Sequence, residues 1–196
     1  MAKPGARQAR PPLVAVALAG CLFGLGGTAA CGASSDARDA RHMAASYAGR
    51  QADLFDDSIE PAAVGLDYDK GYSPRLDKTL RERAQVGDAV LRVRVSTVTA
   101  RPDGRHARYE LELHTVEKLA GKRELPTDFV VRVSKSSDSH GIVKNFESRL
   151  VGYAFIAFVR EFDHPSGERQ VHFHLAPDTK EVKTAVGDAV LPSGLK

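Results

Sequence analysis

The chain has 196 residues, 42% hydrophobic and 27% charged, a composition typical of a globular protein and not of a disordered tail or a coiled coil. The first 31 residues contain three of the 28 basic residues and no acid, so the remainder carries 25 basic against 25 acidic residues. This neutral remainder gives no electrostatic reason to expect nucleic-acid binding. Its length suits one domain.

Both cysteines, Cys21 and Cys31, lie in or at the end of this N-terminal stretch. The rest of the chain therefore cannot form an internal disulfide, and it cannot supply a cysteine nucleophile or a cysteine-ligated zinc site.

Residues 1–30 have the layout of a secretory signal peptide. A basic segment, Met1–Arg10, precedes an uncharged apolar run, Leu13–Gly27, and three small residues then precede Cys31. Such a leader directs a chain into the membrane for export. We expect residues 31–40, which are small and polar, to form a flexible tether.

The segments that end at the two cysteines resemble the lipobox of bacterial lipoproteins. Leu18–Cys21 (LAGC) matches the family pattern, whereas Thr28–Cys31 (TAAC) has Thr in place of Leu. The second box has the better apolar run before it and a tether-like sequence after it. The resemblance implies lipid attachment, with acyl chains such as palmitate, at Cys31 or alternatively at Cys21. It also implies anchoring in a bacterial cell envelope, at the outer membrane if the cell has one.

Two other interpretations of the leader stay open. Leu13–Cys31 is near the minimum length of a membrane-spanning helix and would then be an uncleaved anchor. Cleavage after Ala30 by an ordinary signal peptidase would release the protein without lipid. All three interpretations predict export.

Residues 41–85 are predicted to form a helical and irregular lead-in. The larger apolar residues of Arg41–Phe55 have loosely helical spacing, and residues 56–73 contain the acids, glycines and prolines of an irregular segment. Pro74–Gln85 is predicted to be a short helix with Leu76 and Leu80 on one face.

From residue 86 the hydrophobic period becomes two, which predicts β-strands. Five strands are predicted around residues 91–97, 109–113, 129–133, 151–159 and 171–175. Arg101–Gly104 and His164–Gly167 are predicted turns. Residues 151–159 are apolar at nearly every position, so we expect this strand to be covered on both faces. The predicted core contains the odd-numbered apolar positions Leu91, Val93, Val95, Tyr109, Leu111, Leu113, Phe155, Phe173 and Leu175.

These elements predict a mainly β (α+β) fold over residues 86–196, a small antiparallel barrel or sandwich of five to six strands preceded by helical segments. The order of its predicted strands and turns loosely resembles that of OB-type barrels such as the netrin-like modules of secreted proteins. The hexapeptide VGDAVL occurs at residues 86–91 and again at 186–191. The second copy predicts a sixth strand at the C-terminus.

Three histidines are the candidates for a metal site. His172 and His174 lie two apart in a predicted strand, so both should lie on the outward face opposite Phe173. If His114 lies on the same face, the three imidazoles could converge on Zn or Cu. The alternative is that these histidines are ordinary residues of a solvated strand.

Residues 136–140 (SSDSH) gather serine, aspartate and histidine on one loop. Triad residues normally come from separate elements, so we expect an ordinary polar loop. The chain has no Gly-x-Ser-x-Gly, Walker or His-Glu-x-x-His motif.

The sequence therefore predicts an exported, lipid-anchored envelope protein with a small binding domain, no catalytic site and no cofactor. Its expected partners are the membrane, through the anchor, and an envelope protein, glycan or small ligand. The alternative is a metal-binding or hydrolytic envelope protein that uses His114, His172 and His174.

Overall fold

The structure is a computed structural model of the chain and describes residues 45–66, 73–164 and 167–191. The predicted signal peptide, both candidate lipidation cysteines and the predicted tether lie outside these ranges. Among the described residues, no helix combines the length and the apolar character needed to cross a bilayer.

Seven strands and four helices make up the described part of the chain. The strands are β1 (Ala45–Ser46), β2 (Ser58–Ile59), β3 (Ala89–Asp103), β4 (His106–Gly121), β5 (Asp128–Val133), β6 (Ala154–Asp163) and β7 (Arg169–Pro177). The helices are α1 (Gly49–Leu54), α2 (Lys78–Val86), α3 (His140–Phe146) and α4 (Lys180–Val190), with 3-10 turns at Pro61–Val64 and Glu147–Arg149.

The sheet has the strand order β2-β7-β6-β3-β4-β5, and its strands β3 to β7 pair antiparallel with their neighbours. β2 extends it by a parallel pairing with β7, and β1 pairs in parallel with the end of β6. The sheet curls into a half-barrel. The predicted mainly β fold with a few helices is therefore confirmed.

The first hairpin is confirmed, but its turn lies later in the chain than predicted. Pro102 is still paired, opposite Ala107, and the connection between the strands is Gly104–Arg105. Gly104 has a φ of 59°, which glycine adopts without steric cost.

One face of the sheet carries the predicted core. Eight of the nine predicted positions are buried, and only Tyr109 is partly exposed. Val131 and Val133 of β5 and Val143 of α3 also belong to this first core. Period-two alternation identified the face correctly because successive side chains of a strand point to opposite sides.

A second core lies on the other face of β6 and β7, beneath α1, α2 and α4. Its largest members are Leu54, Phe55, Leu80, Ile156, Phe158, Phe162, Val182 and Val186. The prediction that β6 is covered on both faces is confirmed for Phe155–Val159, whereas Val151 and Tyr153 are exposed.

The predicted sixth strand is wrong, because the second VGDAVL copy lies mostly in helix α4. Thr179 caps this helix by accepting a hydrogen bond from Val182 N. Its buried residues, Val182, Ala185, Val186 and Ala189, have the i, i+3, i+4, i+7 spacing of a helix face.

The lead-in is less helical than predicted. Among the described residues of the first predicted helix, 45–55, only Gly49–Leu54 is helical. The second begins at Lys78, where the Asp77 side chain accepts hydrogen bonds from two backbone amides. Leu76 precedes the helix and is 81% exposed, so the prediction that it lies on one helix face with Leu80 is wrong.

Candidate functional site

The outer face of β7 is buried, so the prediction that its histidines face solvent is wrong. His172 is 7% exposed and His174 is 4% exposed. The segment that contains Tyr47, α1 and β2 passes over this face, and β2 pairs with β7 at Ser58↔His174. The histidines therefore lie between two layers of the protein.

Asp57 holds His172 through a buried carboxylate–imidazole pair. Asp57 Oδ2 lies 3.0 Å from His172 Nδ1, and Phe173 N donates to Asp57 Oδ1 at 3.4 Å. Burial raises the pKa of the Asp57 carboxyl above its ordinary value, and the bond to His172 opposes that shift. An ionised carboxylate only accepts hydrogen bonds, so an ionised Asp57 favours the neutral tautomer of His172 that donates from Nδ1 and carries its lone pair on Nε2.

The backbone at Asp57 has a φ of 55°, and Asp57 is the one non-glycine residue with positive φ in the described part of the chain. Aspartate tolerates this conformation better than most residues. Ser137 Oγ donates to the Asp57 carbonyl at 2.8 Å. The polar loop before α3 thus helps to fix the conformation that turns Asp57 toward β7.

Aromatic rings enclose His172. Tyr47 stacks on it with ring centroids 3.7 Å apart and an 11° interplanar angle, and Phe162 meets it edge-on at 5.6 Å. His164 is nearly parallel to it, with Nε2 atoms 3.3 Å apart. Burial, followed by the charges of Asp57, Asp56 and Asp53, raises the pKa of Tyr47 to about 12, so its hydroxyl stays protonated near neutral pH.

His174 belongs to a separate network of hydrogen bonds. Its Nδ1 lies 2.7 Å from Ser58 Oγ, and Ser58 Oγ also donates to Asp56 Oδ1. Burial, followed by the charge of Arg83, holds the pKa of His174 well below its ordinary value. The serine lies between the acid and the histidine, whereas the histidine is central in a catalytic triad. This order and the burial of His174 identify a structural network.

His114 does not join the other two predicted metal ligands. It lies on β4, and the sheet order places β6 and β3 between β4 and β7. His114 Nδ1 pairs with Asp128 Oδ1 at 2.7 Å, and its side chain is 50% exposed. The predicted convergence of His114, His172 and His174 is therefore wrong. In the described ranges, no three His, Cys, Asp or Glu side chains surround a common metal position.

The 136–140 loop has structural contacts in this fold. Ser139 is buried and accepts a hydrogen bond from Ile59 N. His140 Nε2 lies 3.0 Å from the Ala107 carbonyl, and its ring packs against Tyr109. These contacts fasten the loop to β2 and β4.

A cleft of about 200 Å³, which we call the seam cleft, lies between β5 and β7, two strands that do not pair with each other in the described sheet. It is lined by Asp57, Val130, Arg132, Arg169, Gln170, Val171 and His172. The volume is below the roughly 300–1,000 Å³ of pockets for drug-sized ligands. It suits a single side chain or a small acidic group.

The two arginines of the seam cleft are only loosely paired. Arg132 Nε lies 3.9 Å from Glu110, and Arg169 contacts Glu161 at 3.8 Å and Asp163 at 3.4 Å. These distances exceed those of ordinary hydrogen bonds. Because each guanidinium has five donors, most of them remain available to a ligand.

Sequence reasoning found His172 but missed Asp57, Tyr47, His164 and the arginines of the seam cleft. One signal for the burial of the β7 histidines was available. Residues 151–159 predict a strand that is covered on both faces, and the strand beside it, β7, is covered by the same layer. The pairing of β7 with residues 57–59 has no such signal, because it depends on a contact more than 110 residues apart along the chain.

Comparisons of this chain with protein-family models, with curated proteins and with solved structures find no match.

Proposed function

We propose that the protein is an exported, lipid-anchored protein of the bacterial envelope whose β domain binds an acidic ligand in the seam cleft. The anchor is supported by the sequence of the leader and its lipobox. The binding role depends on one observation: the half-barrel leaves a cleft between β5 and β7 that carries two loosely paired arginines.

The chemistry of the seam cleft favours a carboxylate or a phosphate. Arg132 and Arg169 have side chains that are 55% and 46% exposed. Guanidinium groups bind these anions through paired N–H donors. The half-exposed Val130 adds an apolar surface beside them. An acidic peptide side chain or a carboxylate-bearing polymer of the envelope satisfies both features.

The anchor is tested by mass spectrometry of the N-terminal peptide from the membrane fraction. We expect a diacylated peptide that begins at Cys31, because two acyl chains are needed for stable anchoring. Cys31→Ser should leave an unprocessed precursor, whereas Cys21→Ser should be lipidated normally. A lipidated Cys21, or an unmodified Cys31, contradicts this assignment.

The binding site is tested by NMR titration of the protein with inorganic phosphate and with short Asp/Glu peptides. We expect amide shifts that cluster at residues 130–132 and 169–172 and that weaken with added salt, since exposed charges are screened. Arg132→Gln and Arg169→Gln should abolish them. Arg94→Gln is the matched control, because Arg94 is an exposed arginine of β3 outside the cleft. Equal effects of all three variants would refute the site.

A further inference from the structure

His164 and His172 present their Nε2 atoms to each other at 3.3 Å. Two nitrogen ligands about 2.0–2.1 Å from a tetrahedral zinc ion lie about 3.3–3.4 Å apart. The same contact also has the geometry of a long hydrogen bond between the two rings, so a metal ion would take the place of the proton that they share. We propose that this pair, the β6–β7 histidine pair, binds one divalent transition-metal ion such as Zn²⁺ or Cu²⁺, an activity beyond the proposed binding of an acidic ligand.

Asp57 prepares His172 for this role. Its carboxylate lies 3.0 Å from Nδ1, so the tautomer it favours leaves the Nε2 lone pair directed toward His164. Metal-binding histidines usually donate their other N–H to a carboxylate, a backbone carbonyl or a water, which fixes the ring and raises its basicity. Asp57 is itself held by Phe173 N and Ser137 Oγ.

The ring of His172 and the backbone of His164 are both held before any metal arrives. His172 lies beneath Tyr47 and against the edge of Phe162. His164 is positioned by the β6–β7 turn, where its backbone N–H donates to Glu168 O at 2.9 Å and its carbonyl accepts from Gly167 N at 2.8 Å. Rings that are already oriented lose little conformational entropy when a metal binds.

The donor set determines which ions suit the pair. Imidazole nitrogens favour Zn²⁺, Cu²⁺ and Ni²⁺, whereas Ca²⁺ and Mg²⁺ require oxygen ligands. Because no third His, Cys, Asp or Glu of the described residues joins the pair in a three-ligand set, water would occupy the remaining positions. The seam cleft reaches His172 and gives solvent a route to this ring.

Isothermal titration of the full chain with ZnCl₂ in detergent tests the proposal. The titrated protein is the unprocessed precursor with Cys21→Ser and Cys31→Ser, which has no competing thiolates. We expect one Zn²⁺ per chain and loss of binding in His164→Ala and in His172→Ala. Asp57→Asn should weaken binding about 10–100-fold, as loss of a partner behind a metal ligand does. Asparagine also tolerates the positive φ at this position.

His114→Ala is the matched control, because His114 also pairs with an aspartate but lies on β4, away from the β6–β7 histidine pair. It should bind Zn²⁺ like the parent protein. Absence of Zn²⁺ binding by the parent, or unchanged affinity in His164→Ala, would overturn the proposal. If His172→Ala fails to fold, His164→Ala decides alone, because His164 is a partly exposed turn residue. Phosphate and acidic-peptide binding is measured without metal, so it can fail independently.

Discussion

Lowering the pH from 7.5 to 5.5 should destabilise the protein through His174. This ring is 4% exposed, and its Nδ1 contacts Ser58 Oγ at 2.7 Å. Burial and the charge of Arg83 hold the pKa of folded His174 well below the unfolded value of about 6.5. The unfolded chain therefore binds more protons than the folded chain as the pH falls through 6.5, so stability decreases with falling pH.

The change in the free energy of unfolding follows from the binding of one proton by His174 in the unfolded chain. Each pH unit below the unfolded pKa costs about 1.4 kcal/mol while the folded ring stays neutral. With an unfolded pKa of about 6.5, His174 changes the free energy of unfolding by about 1.4 kcal/mol between pH 7.5 and 5.5.

Urea unfolding of the parent protein and of His174→Gln at both pH values isolates this contribution, because the other titrating groups are common to both. The parent should lose about 1.4 kcal/mol more than His174→Gln on acidification. Equal pH dependence in the parent and His174→Gln would refute the argument that His174 is buried in its neutral form.

Two further predictions concern the fold. Leu111→Ala, at a fully buried position of the first core, should reduce the free energy of unfolding by about 2–5 kcal/mol in urea titrations, whereas Leu76→Ala should change it by less than about 0.5 kcal/mol. Replacing the glycine of each VGDAVL copy with alanine should change the stability in opposite directions. A Cβ at Gly87 would lie 2.9 Å from the Arg83 carbonyl, so Gly87→Ala should destabilise; Gly187 is helical with nothing within 4 Å, so Gly187→Ala should raise the melting temperature through about 0.5–1 kcal/mol of helix propensity. A loss of stability in Gly187→Ala would contradict the helical assignment.

The β-strands were predictable because their pattern is local. Leu91, Val93, Leu111 and Leu113 alternate with polar residues, and alternation alone assigns each to a buried face. The identical hexapeptides show where local patterns fail. The first copy enters strand β3 after α2 ends, whereas the second continues the apolar helical stripe that begins at Val182.

The candidate site was less predictable because it depends on long-range contacts. His172 and His174 have the alternation of a solvated strand, but the distant segment that contains Tyr47, Asp57 and Ser58 helps to bury them. The seam cleft likewise requires the curvature that brings β5 near β7, and curvature leaves no pattern in the residues of either strand.

Site-specific photo-cross-linking in intact cells tests most directly the claim that the seam cleft is the binding surface of an envelope protein. A photoreactive residue is placed at Val130, which lines the cleft and is 50% exposed, or at Val116, which lies outside it and is 45% exposed. We predict a cross-linked envelope component at position 130 that is lost with Arg169→Gln and absent at position 116. Equal cross-linking at both positions, or none at position 130, would contradict the proposed function.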